Sequence, residues 1–327
     1  MKTIRFWTTH PDSSPSSWAR SLRLDPSRFS LVCDPRDPEV LIGTEQLYTS
    51  FRARRGFARL YSPRRLAVFY AGECIAPDMN VFDYGIVFDR NLSLGDRIVR
   101  HPTLDFFSRN VFEDLSAPRT DAESARRKKT GFCNFLYANP KAHPHRDWLF
   151  RILSGYKPVD GLGPHLNTVG NRPSRCDADW RRLAVELKRP YKFSIASENA
   201  RYPGYVTEKL LSSYQARTVP IYWGDPDVAK EFNPGSFLDA NDMDAEALIE
   251  AVGRIDRDDA LWSEMVSRPL LTSDQAESAR RESVAYGEFT SRLFSAPVEE
   301  VKRAPEGYWT ERYRKDFMSF RFASVGT

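Results

Sequence analysis

Apolar residues cluster in short runs along the first third of the chain: KTIRFWT at 2–8, FSLVC at 29–33, EVLI at 39–42, RLAVFY at 65–70 and YGIVF at 84–88. Nearly continuous apolar runs of this length are how strands buried on both faces read. Turn-forming residues close them, with Pro11-Asp12-Ser13-Ser14-Pro15 after the first and Asp34-Pro35 after the second. The pattern restarts with GFCNFLY at 131–137, YKFSIAS at 191–197, TVPIYW at 218–223 and a short run at 236–238. Helical spacing lies between these: about 145–153, with Pro144 near the first turn; 206–215, with Thr207 and Glu208 in the first turn; and 244–255, with Ala247, Leu248, Ala251, Val252 and Ile255 on one side. Strands alternating with helices predict an α/β fold.

Between the halves, DAESARRKKT at 121–130 is polar and strongly charged. It reads as a linker, and its Arg126-Arg127-Lys128-Lys129 run as a solvated one. Near the end, Trp309, Tyr313, Phe317 and Phe320 recur at helical spacing among Arg312, Arg314, Lys315 and Arg321. This predicts a last helix that packs back onto the first domain; the alternative is a basic amphipathic helix lying on an anionic membrane surface. The expected domains are 1–125, 130–300 and a basic aromatic tail at 301–327.

Composition narrows the function classes. A chain of 327 residues has room for two domains, and 41% hydrophobic with 28% charged residues excludes disorder as the main state. A net charge of +4 argues against a nucleic-acid protein. Aromatic residues reach 13%, which suits a large core and also sugar stacking. Cys33, Cys74, Cys133 and Cys176 are too widely spaced for a zinc site or a disulfide framework, so four free thiols in a reducing cytoplasm are expected. The first residues lack the apolar core of a signal peptide, and no apolar run approaches the roughly 20 residues of a bilayer span.

In two α/β halves the chemistry belongs on loops at the carboxyl ends of strands. The string YKFSIASENARYPGYVTEK at 191–209 has this form: a strand ends at Glu198-Asn199, a Pro-Gly turn follows, and a helix begins near Val206. A helix start offers free N–H groups and a positive dipole end to phosphate; Lys209 adds a charge, and Glu208 offers paired acceptors to a vicinal diol. The same Thr-Glu-Lys also suits an ordinary capped helix.

The longer string resembles the donor-site signature of the α-1,3/4-fucosyltransferases of glycosyltransferase family 10. The likeness continues through Val219-Pro220-Ile221-Tyr222-Trp223-Gly224 and Asn233-Pro234-Gly235-Ser236-Phe237, with Ser197 where the family usually has Phe. Upstream, Asn139-Pro140 followed by Arg146 resembles the segment whose arginine contacts the donor diphosphate. Phe69-Tyr70-Ala71-Gly72-Glu73-Cys74 resembles F-x-x-G-E-N, with Cys74 for Asn, and the stretch from Pro77 to Asp89 resembles P-x-x-N-x-x-D-Y-x-I-x-F-D.

The resemblance implies the GT-B arrangement, two facing Rossmann-like domains with a C-terminal helix crossing back. The first domain would hold the acceptor and the second GDP-fucose. It implies Glu73 as catalytic base, and Arg146, Asn199, Tyr205, Val206, Thr207, Glu208 and Lys209 as donor-binding residues. It implies no cofactor beyond the donor substrate GDP-fucose and no metal. Asp225-Pro226-Asp227 and Asp242-Met243-Asp244 imitate a metal-binding D-x-D but suit loop and helix-cap roles, and His143 and His145 read as exposed loop histidines. The implied reaction is inverting α-1,3-fucosyl transfer to the GlcNAc of an N-acetyllactosamine-type acceptor, giving a Lewis X-type product in bacterial lipopolysaccharide or another surface glycan. The implied place is the cytoplasm, with at most peripheral inner-membrane contact through the tail. The alternatives are another GDP-deoxysugar or acceptor on the same fold, or a non-catalytic glycan-binding protein.

Overall fold

The computed structural model describes residues 1–101, 111–170 and 180–319. Contacts divide the chain into two compact units: Met1–Phe106 with Arg280–Thr327, and Phe107–Ala279.

In the first unit, β1 (Lys2–Thr8), β2 (Phe29–Cys33), β3 (Val40–Gly43), β4 (Leu66–Tyr70), β5 (Tyr84–Val87) and β6 (Ile98–Arg100) form one sheet in the order β2-β1-β3-β4-β5-β6. Every pairing is parallel, and Ile4 lies opposite Leu31. The central strands β3, β4 and β5 are buried at every position, as their unbroken apolar runs require. Helices α1 (Pro15–Ser21), α2 (Gln46–Thr49) and α3 (Phe51–Leu60) lie between strands. The sixth strand was not predicted: its three residues are half-buried and polar at Arg100, so they carry too little apolar signal.

In the second unit, after α4 (Val111–Ser116) and α5 (Ala122–Arg127), the elements are β7 (Gly131–Phe135), α6 (His145–Tyr156), β8 (Val159–Gly161), α7 (Trp180–Lys188), β9 (Tyr191–Ser197), α8 (Glu208–Gln215), β10 (Val219–Trp223), β11 (Leu238–Asp239), α9 (Ala245–Arg257) and α10 (Asp259–Ser267). The strands form a parallel sheet in the order β11-β10-β9-β7-β8. β9 and β10 end level, with Ser197 opposite Trp223. The strand expected at 236–238 starts two residues later. Pro234 lacks an N–H and the Asn233 side chain accepts from Gly235 N at 3.1 Å, so Pro234–Ser236 closes into a 3₁₀ turn first.

The charged segment at 121–130 is not a linker: Ala122–Arg127 forms a helix, and the residues after it stay bonded to the unit. Ala122 enters the unit's core, Arg126 pairs with Asp259 of α10 at 2.6 Å, Arg127 pairs with Glu123 at 2.7 Å, and Lys129 donates to the carbonyls of Arg189 and Ala216 at 2.7 and 3.1 Å. The units divide at Phe106/Phe107 and again at Ala279/Arg280, which puts this segment inside the second unit; the sequence suggested boundaries near 125 and 300.

Helix α11 (Ser273–Ser295) starts in the second unit and ends in the first, followed by α12 (Val298–Val301) and α13 (Tyr308–Ser319). The chain thus returns to the first unit, as expected, and buried Asp83 ties it there. Its carboxylate accepts from Ala67 N, Lys302 Nζ and Ala304 N at 2.8 Å and from Arg303 N at 2.9 Å. The packed face of α13 differs from the predicted stripe. Arg314 is buried, donating to Asn80 O at 2.7 Å; Phe317 approaches Tyr48; Tyr313 bonds to Asp78; and Trp309 is 80% exposed. Phe320 and Arg321 lie outside the described residues. Among the described residues no helix is long and apolar enough to cross a membrane, and Cys33, Cys74 and Cys133 are free thiols; Cys176 is outside them.

Candidate active site

The second unit builds its candidate site where β9 ends. Glu198 N donates to Trp223 O at 2.8 Å, which ties the ends of β9 and β10 together and fixes the chain beyond the strand. A Cβ on Gly224 would lie 2.5 Å from Glu198 Cγ, so only glycine admits the buried Glu198 side chain here. Helix α8 starts two residues later than the apolar spacing suggested, with Thr207 as its N-cap. Thr207 does not cap with its own hydroxyl. Glu198 instead accepts from Thr207 N at 2.7 Å and from Thr207 Oγ1 at 2.6 Å.

Lys209 completes the cluster. Its Nζ donates to Glu198 Oε2 at 3.0 Å and to Thr207 Oγ1 at 2.7 Å, and lies 3.4 Å from Glu208 Oε1. Burial alone would push this ammonium down, but the carboxylates of Glu198 and Glu208 outweigh it and hold Lys209 above the ordinary lysine value. Burial pushes the Glu198 carboxyl up, opposed by Lys209 and both Thr207 bonds. Glu208 goes the other way: burial pushes it up, yet Lys209 and the Glu208 and Thr207 donors bring it below the usual carboxylate range. The helix start thus presents an ionised Glu208 beside a firmly charged lysine, with first-turn N–H groups that helix geometry leaves unbonded.

Arg146 approaches from α6. That helix buries Arg146, Leu149 and Leu153, one stripe at helical spacing. Although 1% exposed, the guanidinium is only partly engaged: it donates to Asn139 O at 2.5 Å and to Asn199 Oδ1 at 3.4 Å, and its carbon lies 4.5 Å from the Tyr137 ring centre. Nε has no hydrogen-bond partner. The structure therefore brings Arg146, Asn199, Thr207, Glu208 and Lys209 together. Tyr205 and Val206 are 1% and 2% exposed; their side chains pack inward.

Glu198 stands in the motif with no task that its sequence position assigns, and nothing in the sequence singles out Lys188 of α7. The Nζ of this buried lysine donates to Ser212 and Ser213 of α8 at 2.7 and 3.1 Å. Burial pushes it down to about 7, eased by the Glu208 charge and worsened by Lys209. Neither residue announces itself: a carboxylate after a strand and a lysine ending a helix are ordinary. Their burial is what marks them.

The histidine reading needs correction. His143 is exposed, but His145 stacks on Trp223 at 4.8 Å and 19° and lies 4.5 Å from the Trp148 ring. Burial, aided by neighbouring His143, pushes its imidazole down to about 4. Asp244 caps α9, accepting from Ala247 N at 2.9 Å, and buried Asp225 accepts from Asp227 N at 2.9 Å, so these two carboxylates have the cap and loop roles expected. Among the described residues no group of three metal-ligating side chains converges.

Glu73 belongs to the first unit, on the loop leaving the carboxyl end of β4. Ala71 N donates to Ile86 O at 2.9 Å, Gly72 N to Glu45 Oε2 at 3.3 Å, and Ile75 N to the Glu73 carbonyl at 2.7 Å, which turns the chain and leaves Glu73 exposed. Half-buried Glu45 lies close by. Burial pushes its carboxyl up, and the charge of Glu73 adds to the push.

Two parallel sheets of Rossmann type are the architecture of the GT-B class of glycosyltransferase folds, and in the second unit a helix start bearing Lys209 follows the central strand β9. The model of the fucosyltransferase family 10 C-terminal region matches residues 126–267, and that of the α-(1,3)-fucosyltransferase FucT N-terminal domain matches 39–107. The chain is similar to α-(1,3)-fucosyltransferase FucT of Helicobacter pylori (34% identity, 54% of this chain, 41% of that protein). It is also similar to GDP-fucose protein O-fucosyltransferase 3 of Homo sapiens (30% identity, 59% of this chain, 40% of that protein). It thus spans about two fifths of the length of these curated relatives. A crystal structure of an α1,3-fucosyltransferase with GDP-fucose aligns with a TM-score of 0.63 at 25% identity, covering 88% of this chain and 90% of the other. The chain belongs to glycosyltransferase family 10, the fucosyltransferases.

Proposed function

We propose that this protein transfers L-fucose from GDP-β-L-fucose to a glycan hydroxyl by a single displacement that inverts the anomeric centre. The observation that carries the reading is the Glu198–Thr207–Lys209 cluster at the start of α8 with Arg146 beside it, inside the segment matched by the fucosyltransferase C-terminal model. In this reading Arg146 and Lys209 face the diphosphate and stabilise the charge that grows on GDP as the sugar–phosphate bond breaks. Glu208 accepts from ribose hydroxyls, and Asn199, Tyr205, Val206 and Thr207 shape the donor pocket. Glu73 removes the proton from the acceptor hydroxyl as its oxygen attacks the anomeric carbon. The products are an α-fucoside and GDP; the cations are side chains.

The preferred acceptor is the GlcNAc of an N-acetyllactosamine unit, joined α-1,3 in a Lewis X-type product of a bacterial surface glycan, with the reaction in the cytoplasm. Similarity to a protein O-fucosyltransferase supports a polypeptide hydroxyl as the second acceptor class. A GDP-release assay with GDP-fucose separates them across N-acetyllactosamine, lactose and serine- or threonine-bearing peptides. Release with N-acetyllactosamine alone supports the preferred acceptor. Release only with peptides moves the acceptor, and none with any acceptor removes the transferase reading.

A further inference from the structure

Residues 51–65, FRARRGFARLYSPRR, hold arginine at 52, 54, 55, 59, 64 and 65 and contain no acid. The fold sorts these cations. Arg54 is buried and donates to Leu47 O at 2.9 Å, and Arg65 pairs with Asp37 at 3.1 Å. Arg52, Arg55, Arg59 and Arg64 are exposed, and none of them makes an ion pair among the described residues. On α3, Arg52, Arg55 and Arg59 recur at intervals of three and four, so they share one outward stripe, opposite buried Phe57 and Leu60. Phe51, 56% exposed, stands one turn from Arg55 on the same side. Beyond the helix, Arg59 and Arg64 line a groove of about 670 Å³ at the first residues of β1, β3 and β4, where Asp37, Glu39 and Glu299 also stand, so the uncompensated cations are those of the helix stripe.

We propose that this face of α3 docks the first unit onto an anionic membrane surface. Uncompensated like charges one turn apart repel each other, and external phosphates relieve that repulsion. Guanidinium forks fit phosphate oxygens two at a time, which favours arginine for the task. The exposed Phe51 decides between partners. An aromatic beside a cationic stripe fits the boundary between headgroups and acyl chains, where the ring is buried while the cations stay with the phosphates. A stripe confined to one ten-residue helix, about 15 Å long, is short for tracking a nucleic-acid backbone. The groove end of the surface lies at the amino ends of the strands, whereas Glu73 follows the carboxyl end of β4. Docking here leaves the Glu73 loop open.

The test is co-sedimentation of the full chain with phosphatidylcholine vesicles and with vesicles of equal phosphatidylcholine and phosphatidylglycerol. Binding to the anionic vesicles only, weakened by salt, is expected. Arg52→Gln/Arg55→Gln/Arg59→Gln should lower vesicle affinity at least about tenfold, and Phe51→Ala should lower it further, while GDP binding and the melting temperature stay at wild-type values. Wild-type vesicle binding by the triple variant, or none by the parent chain, would overturn the proposal. So would displacement by short duplex DNA with Phe51→Ala without effect, which would reassign the surface to nucleic acid.

Discussion

Lys209 matters through the company it keeps. A lysine at a helix start is usually a solvated charge, but here two carboxylates and a threonine hydroxyl hold an almost enclosed ammonium in one position. Glu198 sets that position. Glu198→Gln keeps the shape and takes away the charge, so Lys209 loses its main counter-charge and a hydrogen bond to a charged group worth about 1.5–3 kcal/mol, a loss expected in urea unfolding. An unchanged unfolding midpoint would mean that Lys209 needs no such partner. The polar residues of the cluster were legible in the sequence as a spaced string. What the string did not disclose is the division of labour, in which Glu198 holds the N-cap residue Thr207 by its N–H and hydroxyl. That depends on two strand ends meeting at Trp223 and Gly224, a contact between positions far apart along the chain.

At the level of elements, α7 and α8 share a buried ammonium. Lys188 is pushed down to about 7 from an ordinary 10.5, so between those values the unfolded chain binds more protons than the folded one. Folding stability contributed by this group is therefore lowest below pH 7 and rises as pH climbs toward 10. Lys188→Met should flatten that rise in denaturant midpoints measured across pH 7 to 10; an unaltered slope would show that Lys188 does not titrate there. Asp83 plays the matching part in the first unit, holding residues 302–304 against β4. Asp83→Ala leaves the Lys302 ammonium without its buried partner, and a loss of about 3–5 kcal/mol is expected in urea unfolding. The long central strands were legible because burial on both faces leaves them no polar positions. The three-residue strands β6 and β8 were not, since a sheet edge needs few apolar residues. The helix at 122–127 was missed because its stability comes from Asp259 and the core contact of Ala122, neither of which is local.

Across the whole molecule, two parallel sheets were readable from the restart of the apolar pattern after residue 130, and the contact boundaries were not. Composition marks the segment at 121–130 as a break, yet it docks on α10, and the chain from Arg280 onward belongs with the first sheet. The proposed reaction needs one residue from the first unit and a donor cluster from the second. Replacing Glu73 tests that division most directly. We predict that Glu73→Ala binds GDP with wild-type affinity while acceptor-dependent GDP release from GDP-fucose falls about 10²- to 10⁴-fold, the usual worth of a general base. Release at close to the wild-type rate from the same variant would contradict the assignment.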